Sequence, residues 1–464
     1  MPRADFTPPQ IWGMKYTTAY SSLQNAIDTI CPNTPTVSYP DGYLYDDGGV
    51  LFHPATEWTY DSGKLETHVI VPSNLTLVGA DNIKSCLNWH GDTGTTSAIG
   101  LQVRKFLIDS GLYVANIKIR DLYLRGDWHT SKSCIETDES SFDADYTSHS
   151  GVYYKNGYDL EITGCTLNEW GRDGIVIEGT GPVGWWGKLR FQNNNHYANK
   201  RWAYYFHGDI RLLDLSNMYA GADLITISHD PETVSVQGGH GGIYGYGIWN
   251  ANINGTCIES MNQNSEGDYS HSIIIPVGWN VQIFNHYEES NIYGLQAYWV
   301  RNLRVSEVYH MSNQGFYFGD CPGAIIENNH FVYTDDGIGE SNVTMYLSGN
   351  LGGMTVRQNF HQYGTTPHGI KFNNITYEPD YVEQLYLEGT PAVGSSGRFI
   401  RGTKIPMQYK NGIPTDADFE YYEITSPEAT YSKHNSIGIQ CMDTSTGNVH
   451  IRTSAGWKTL SYTV

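Results

Sequence analysis

Short β-branched phrases return down this chain at a spacing of one structural rung, and no other feature restricts its fold as much. From about Val69 onward an apolar run, a turn with Asn or Gly, a second run, a loop and a third run recur. LEITGCTLNEWGRDGIVIEG begins at Leu160, LRFQNNNHYANKRWAYYFHGD at Leu189, LLDLSNMYAGADLITISHD at Leu212 and VQIFNHYEESNIYGLQAYWV at Val281. LRVSEVYHMSNQGFYFGD follows from Leu303, IIENNHFVYTDDG from Ile325 and TVRQNFHQYGTTPHGIKFNN from Thr355. Most starts lie roughly 22 to 31 residues apart, a period that stacks units into a solenoid rather than closing a globule. Fifty glycines, 35 tyrosines and only 17% charged residues fit many short strands joined by turns.

The third run of each rung alternates with a period of two, so one side of it must face a core. That places Ile175/Ile177, Tyr204/Phe206, Phe316/Phe318 and Ile370/Phe372 inside, and Val176, Glu178, Tyr205, His207, Tyr317, Lys371 and Asn373 on an outer face. One turn position reads Gly164, Asn193, Asn217, Gly255, Asn285 and Asn328, with Glu307 and Gln358 as departures. Stacked amides at a fixed turn predict a hydrogen-bonded ladder. Near the start, Leu23, Ala26, Ile27 and Ile30 share one helical face, the pattern of a helix that caps a solenoid end.

The LQNAID helix, the phrase VIVPSNLTLVGA at Val69–Ala80 and the rung YDLEITGCTLNEWGRDGIVIEG resemble the pectate-lyase-like superfamily, and within it the tailspikes and depolymerases of bacteriophages. The resemblance spans about residues 15–390. It implies an all-β chain, a single-stranded right-handed parallel β-helix with an N-terminal capping helix and a small C-terminal β module. The expected division is 1–40 for the N-terminal segment and helix, 41–390 for the β-helix, 391–430 for a linker or crossover, and 431–464 for the β module. The resemblance further implies a polysaccharide depolymerase, either hydrolase or lyase, acting on bacterial capsule, lipopolysaccharide or exopolysaccharide. A homotrimer joined through the C-terminal module, located on a virion tail or outside a cell, belongs to the same expectation. A secreted microbial enzyme unconnected to a virus and a non-catalytic adhesin or structural spike are the alternatives.

The formal charge of −21 opposes binding to nucleic acid and to anionic membranes. Seven cysteines without a CxxC pair read as buried free thiols. The opening MPRADFTPPQ lacks a secretory pattern, so export by another route, such as lysis, is expected.

Insertions at about 127–150, 231–249 and 261–276 are expected to wall a groove beside the third strand. Trp170, Trp185, Trp186 and Trp202, with Arg172 and Tyr205, are the candidate sugar contacts, since flat rings stack on pyranoses. Glycosidic hydrolysis needs two carboxyl groups about 5 to 9.5 Å apart, a separation that rungs about 4.8 Å apart supply. Two columns qualify. The first holds Glu178, His207 with Asp209, and His229 with Asp230; the second holds Asp173, Asp223, Glu259 and the pair Glu288/Glu289. A lyase would need a base and a cation beside a uronate, parts that Arg172, Arg201, Tyr205, His207 and Lys371 offer. No cofactor is expected, apart from Ca²⁺ in the lyase case, for which the acidic insertion with Asp138, Glu139, Asp143 and Asp145 is the place. The GHG phrase at His240 resembles one in polygalacturonases, but RDG at Arg172–Gly174 and GIK at Gly369–Lys371 replace their companion motifs, so a glycine-rich turn is expected there.

Overall fold

The computed structural model describes residues 14–31, 37–38, 44–45, 49–89, 99–103, 114–126, 150–221, 225–229, 232–236, 241–259, 271–332, 345–362, 370–388, 406–410, 413–414, 420–423, 440–443, 448–453 and 456–460. Within those spans it leaves out 61, 67, 156, 171–172, 180–187, 198, 200, 292, 312–314, 378 and 384–385. The chain forms two compact units, residues 1–239 and 240–464.

Each rung of the first unit gives one strand to each of three walls. On the first wall Leu75–Gly79, Val114–Arg120, Gly157–Thr163 and Leu189–Gln192 pair in parallel, with Leu77, Ile119, Ile162 and Phe191 in one column. The second wall runs from Glu57–Thr59 through Cys86–Asn88, Tyr123–Arg125, Thr166–Asn168 and Asn195–Tyr197 to Tyr219–Gly221. The third holds His68–Val71, Ile99–Val103, Val152–Lys155, Ile175–Gly179 and the first half of Trp202–Ser216. Helix Leu23–Ile30 buries Leu23, Ala26 and Ile27 as expected, and Ser22 caps it by accepting from the Asn25 N–H at 3.2 Å.

The second unit repeats this plan. Strands Gly241–Asn254 and His271–Phe284 each run from the third wall into the first without a break. Arg304–Ser306, Ile325–Glu327 and Thr355–Arg357 continue the first wall. Cys257–Glu259, Tyr287–Glu289, Tyr309–Met311, His330–Val332, Phe360–Gln362 and Tyr386–Glu388 make the second. Tyr293–Tyr298, Phe316–Gly319, Met345–Asn350 and Ile370–Tyr377 continue the third. Both units are thus parallel β-helices, and parallel strands joined in this way cross over right-handedly.

The period of two is obeyed inward. Ile175, Ile177, Tyr204, Phe206, Phe316 and Phe318 are all buried, each contributing on the order of 1.5–3 kcal/mol of burial. The turn column is more specific than a preference for Asn. Gly164, Asn193, Asn217, Gly255, Asn285, Glu307, Asn328 and Gln358 all adopt positive φ, between 48° and 66°, the left-handed region that Gly and Asn enter at least cost. At that position Asn285 Nδ2 donates to Asn254 Oδ1 of the preceding rung at 3.0 Å, and one residue later further amides are bonded inside the coil. Buried Asn194 accepts from the Cys165 N–H at 2.9 Å, and Asn359 Oδ1 accepts from Asn329 Nδ2 at 2.9 Å. A buried amide has no water to turn to and must be satisfied by the neighbouring rung.

Residues 391–430, expected as a linker or crossover, hold strands Pro406–Lys410, Ile413–Pro414 and Glu420–Glu423, the first antiparallel to Tyr381–Glu383. Gln440–Asp443, Asn448–Thr453 and Gly456–Leu460 form the antiparallel part of the small C-terminal sheet, which Glu420–Glu423 joins in parallel. Cys31, Cys86, Cys165, Cys257 and Cys321 are free thiols, all buried except the half-buried Cys257. Among the described residues no helix is long and apolar enough to cross a membrane.

Candidate functional site

The first expected acidic column belongs to the first unit, whereas the second is divided, with Asp173 in the first unit and Glu259, Glu288 and Glu289 on the second wall of the second unit. In the first unit the third wall aligns Tyr153, Val176 and Tyr205 in one outward column and Lys155, Glu178 and His207 in the next. The outward face is not open. Val176 is 1% exposed, Tyr205 2% and Glu178 8%, which corrects the expectation of a solvent-facing wall. Tyr153 Oη donates to Glu178 Oε2 at 2.6 Å, and the Tyr205 and His207 rings stack with centroids 6.2 Å apart. Beyond them Gly179 and Gly208 lie so close that a Cβ on Gly208, whose φ is 103°, would meet the Gly179 carbonyl oxygen at 1.9 Å. Asp209, just past that approach, is gripped by Arg211 through bonds of 3.1 and 2.9 Å.

The rest of that column departs from expectation. Ile225–His229 pairs antiparallel with Glu232–Val236, so His229 ends a hairpin and does not continue the third wall. Asp230, Arg172, Trp185, Trp186, Asp223, His240 and the acidic insertion at Asp138–Asp145 lie outside the described residues. Residues 241–249 and 271–276, read as parts of insertions, belong to long wall strands.

Trp170, Trp202 and Arg201, among the described aromatic and cationic candidates, serve the packing of the first unit. Trp170 is buried against Trp89 at 5.6 Å and donates its indole N–H to the Leu124 carbonyl at 3.3 Å. No face of it is open to a sugar. Trp202 is also buried, and its N–H donates to Asp173 Oδ1 at 3.0 Å. Asp173, fully buried, takes the Arg201 Nε at 2.8 Å on one oxygen and the Arg201 Nη2 on the other. Arg201 also lies 4.8 Å over the Tyr205 ring. A guanidinium committed in this way has its fork filled and cannot neutralise a uronate.

The second unit has the more open arrangement. Glu259 and Glu289 are register partners on adjacent rungs of the second wall, both half-buried at the third position of their strands, where side chains point outward. Rung spacing sets their backbones about 4.8 Å apart. Tyr287, outward on the Glu289 strand, donates its phenol to Glu289 Oε2, and that bond first and burial second push the phenol well above its ordinary pKa. The Tyr287 ring stacks on Tyr309 at 5.5 Å and 4°. On the other side stands the smaller Cys257, whose Sγ lies 3.9 Å from Glu259 Oε1 and whose thiol is raised to about 11 by burial and by the nearby charges of Glu259 and Glu289.

The phrase HYEESN hides two roles that alternation separates. Glu289 points outward, while Glu288 points into the coil and is fully buried. There His310 Nδ1 bonds its Oε1, His286 Nε2 lies 3.5 Å from its Oε2, and Ser272 and Thr256 bond His286 at 2.7 and 2.6 Å. Burial pushes the Glu288 carboxyl up, but His310 and His286 outweigh it and hold it below the usual carboxylate range. Tyr153, Tyr287, His286 and His310 were not singled out in the sequence, and Glu288 was paired with Glu289; the strict period of two in HYEESN was the available signal that separates them. Among the described residues no group of three or more His, Cys, Asp or Glu is disposed to hold a metal ion.

No family model matches the sequence, and no curated protein matches it significantly. Similar solved structures include tailspike protein 3 of bacteriophage CBA120, 12% identical over 88% of this chain and 64% of that one, with a TM-score of 0.36. The A-module of a mannuronan C-5 epimerase from Azotobacter vinelandii is 13% identical over 78% of this chain and 94% of that one, at 0.37. PfbA, a surface adhesin of Streptococcus pneumoniae, is 10% identical over 86% and 98%, at 0.31. All three are right-handed β-helix proteins, the architecture that this chain's own strand register displays. The chain spans less than two thirds of the tailspike's length, and at these scores the likenesses carry no argument about chemistry.

Proposed function

We propose that this protein depolymerises a polysaccharide by hydrolysis, with Glu259 and Glu289 as the reacting pair. The supporting observation is their register: two outward carboxyl groups on neighbouring rungs, at a spacing that suits a retaining mechanism, for which about 5–5.5 Å is typical. Glu289, which accepts the Tyr287 phenol, is the carboxylate that attacks the anomeric carbon, because an O–H donor serves the ionised form. Glu259 protonates the leaving oxygen and then activates water for the second displacement. A lyase is less well supported, since Arg201 is spent on Asp173.

The substrate class follows the sequence resemblance: bacterial capsule, lipopolysaccharide or exopolysaccharide, met on a virion tail or outside a cell. The C-terminal sheet would join three chains, and a single-chain mass in solution would remove that part of the reading. Incubation with a panel of bacterial polysaccharides and alginate tests the chemistry. Reducing ends without a rise in absorbance near 235 nm are expected. A 235 nm chromophore would mean elimination, and silence in both channels would leave a binder.

A further inference from the structure

The third-to-first corner of the second unit carries aromatic residues that the proposed chemistry does not use. Trp249, Trp279 and Arg301 are register partners on three successive rungs. Trp249 and Trp279 stack at 5.9 Å and 20°, and the Arg301 guanidinium covers the other face of Trp279 at 5.2 Å. That ladder closes on itself. Trp299, two residues before Arg301, differs: it is 65% exposed, and among the described residues no aromatic ring or cation covers its indole.

Trp299 also holds a backbone conformation that bulky residues avoid, with φ at 46°. Among the other described residues of this unit the non-glycine positive-φ positions are Asn250, Asn280, Asn285, Ser290, Asn302, Glu307, Asp320, Asn328 and Gln358, all polar; in the first unit the apolar case is Leu212, which has no ring to offer. A Trp in this region is strained, and its exposure recovers none of that cost through burial.

We infer that Trp299 is the platform of a second polysaccharide subsite, on a different wall from Glu259 and Glu289, which holds a pyranoside chain while the carboxyl pair acts. The neighbouring chemistry fits a sugar better than a protein surface. Arg301 and Asn302, two and three residues on in the chain, are exposed, and the corner's amides are hydrogen-bonded rung to rung, with Asn280 Nδ2 donating to Asn250 Oδ1 at 2.8 Å. A flat apolar face matches the C–H face of a pyranose, and the other exposed large hydrophobics among the described residues of this unit, Tyr246, Trp279 and Tyr377, are aromatic rather than an aliphatic patch. The inference rests on the polysaccharide reading above but not on cleavage.

The test is affinity electrophoresis in gels cast with each polymer of the same panel, run on full-length protein carrying E259Q and E289Q so that the polymer survives. Asn suits positive φ, so W299N is the informative change. Retention should weaken at least tenfold in the polymer that slows the parent, while the melting temperature stays level or rises. Unchanged retention, a melting temperature lowered by several degrees, or no retention of the parent by any polymer would each overturn the inference. A change in oligomeric mass on W299N would assign the corner to subunit contact and overturn it as well. If the wild-type chain releases no reducing ends but W299N still loses retention, cleavage fails and the subsite stands.

Discussion

The third wall of the first unit sets an outward acid, Glu178, in register with His207, whereas the second wall of the second unit sets Glu259 in register with Glu289, and the two walls treat their acids oppositely. Glu178 is 8% exposed under a phenol and beside His207, and the nearest acid, Asp209, is neutralised by Arg211. Glu259 and Glu289 are register partners, both half-buried, and the Tyr287 phenol donates to Glu289. A solenoid makes carboxylate pairs readily, because any acid repeated at one rung position acquires a partner about 4.8 Å away. What separates a structural acid from a reactive one is therefore whether the wall leaves it reachable and unneutralised.

The largest effect that sharpens this contrast is on cleavage. E259Q and E289Q should each reduce polysaccharide hydrolysis by about 10²–10⁴-fold, the usual loss for a removed acid or base, while E178Q leaves the rate within a few-fold. Reducing-end assays on folded variants decide it, and a collapse in E178Q alone would reverse the assignment. Next comes stability in the first unit. D173N leaves Arg201 buried without its counter-charge, which should cost about 3–5 kcal/mol, read as a lowered denaturant midpoint. A neutral result would mean the ion pair contributes nothing to that wall.

In the second unit the inward trio gives a pH signature. The folded Glu288 carboxyl is held below its ordinary range, so its stabilisation is present above the unfolded carboxylate pKa and is lost as pH falls toward the folded value. The melting temperature of the wild type should therefore drop more steeply than that of E288Q below about pH 4.5. Parallel curves would contradict the buried pairing. Smallest is Y287F, which removes the donor to Glu289 and leaves the stacking on Tyr309; hydrolysis, read as reducing ends, should fall by no more than about tenfold, as befits one hydrogen bond of roughly 1–1.5 kcal/mol.

Much of this architecture was legible in the chain, and for physical reasons. Apolar alternation fixes which side of a strand is wet or dry, so Ile175, Tyr204 and Phe316 could be placed inside, and the CIESMN and HYEESN phrases aligned Glu259 with Glu289. Alternation does not say whether the outward side is then covered. Tyr205 obeys the period yet is buried beneath its surroundings, and Trp170, read as a sugar contact, plugs the space against Trp89. His229 shows a second limit: a strand-like run followed by an acid looks the same in a rung and in a hairpin, and only the pairing with Glu232–Val236 distinguishes them.

The most direct measurement is the anomeric configuration of newly released ends, followed by NMR during the first turnovers on whichever polymer is cleaved. Carboxyl groups one rung apart leave no room for water between themselves and the sugar, so the released anomer should keep the configuration of the bond broken. Inversion would place the second carboxyl group at least another rung away and would contradict the Glu259/Glu289 pair.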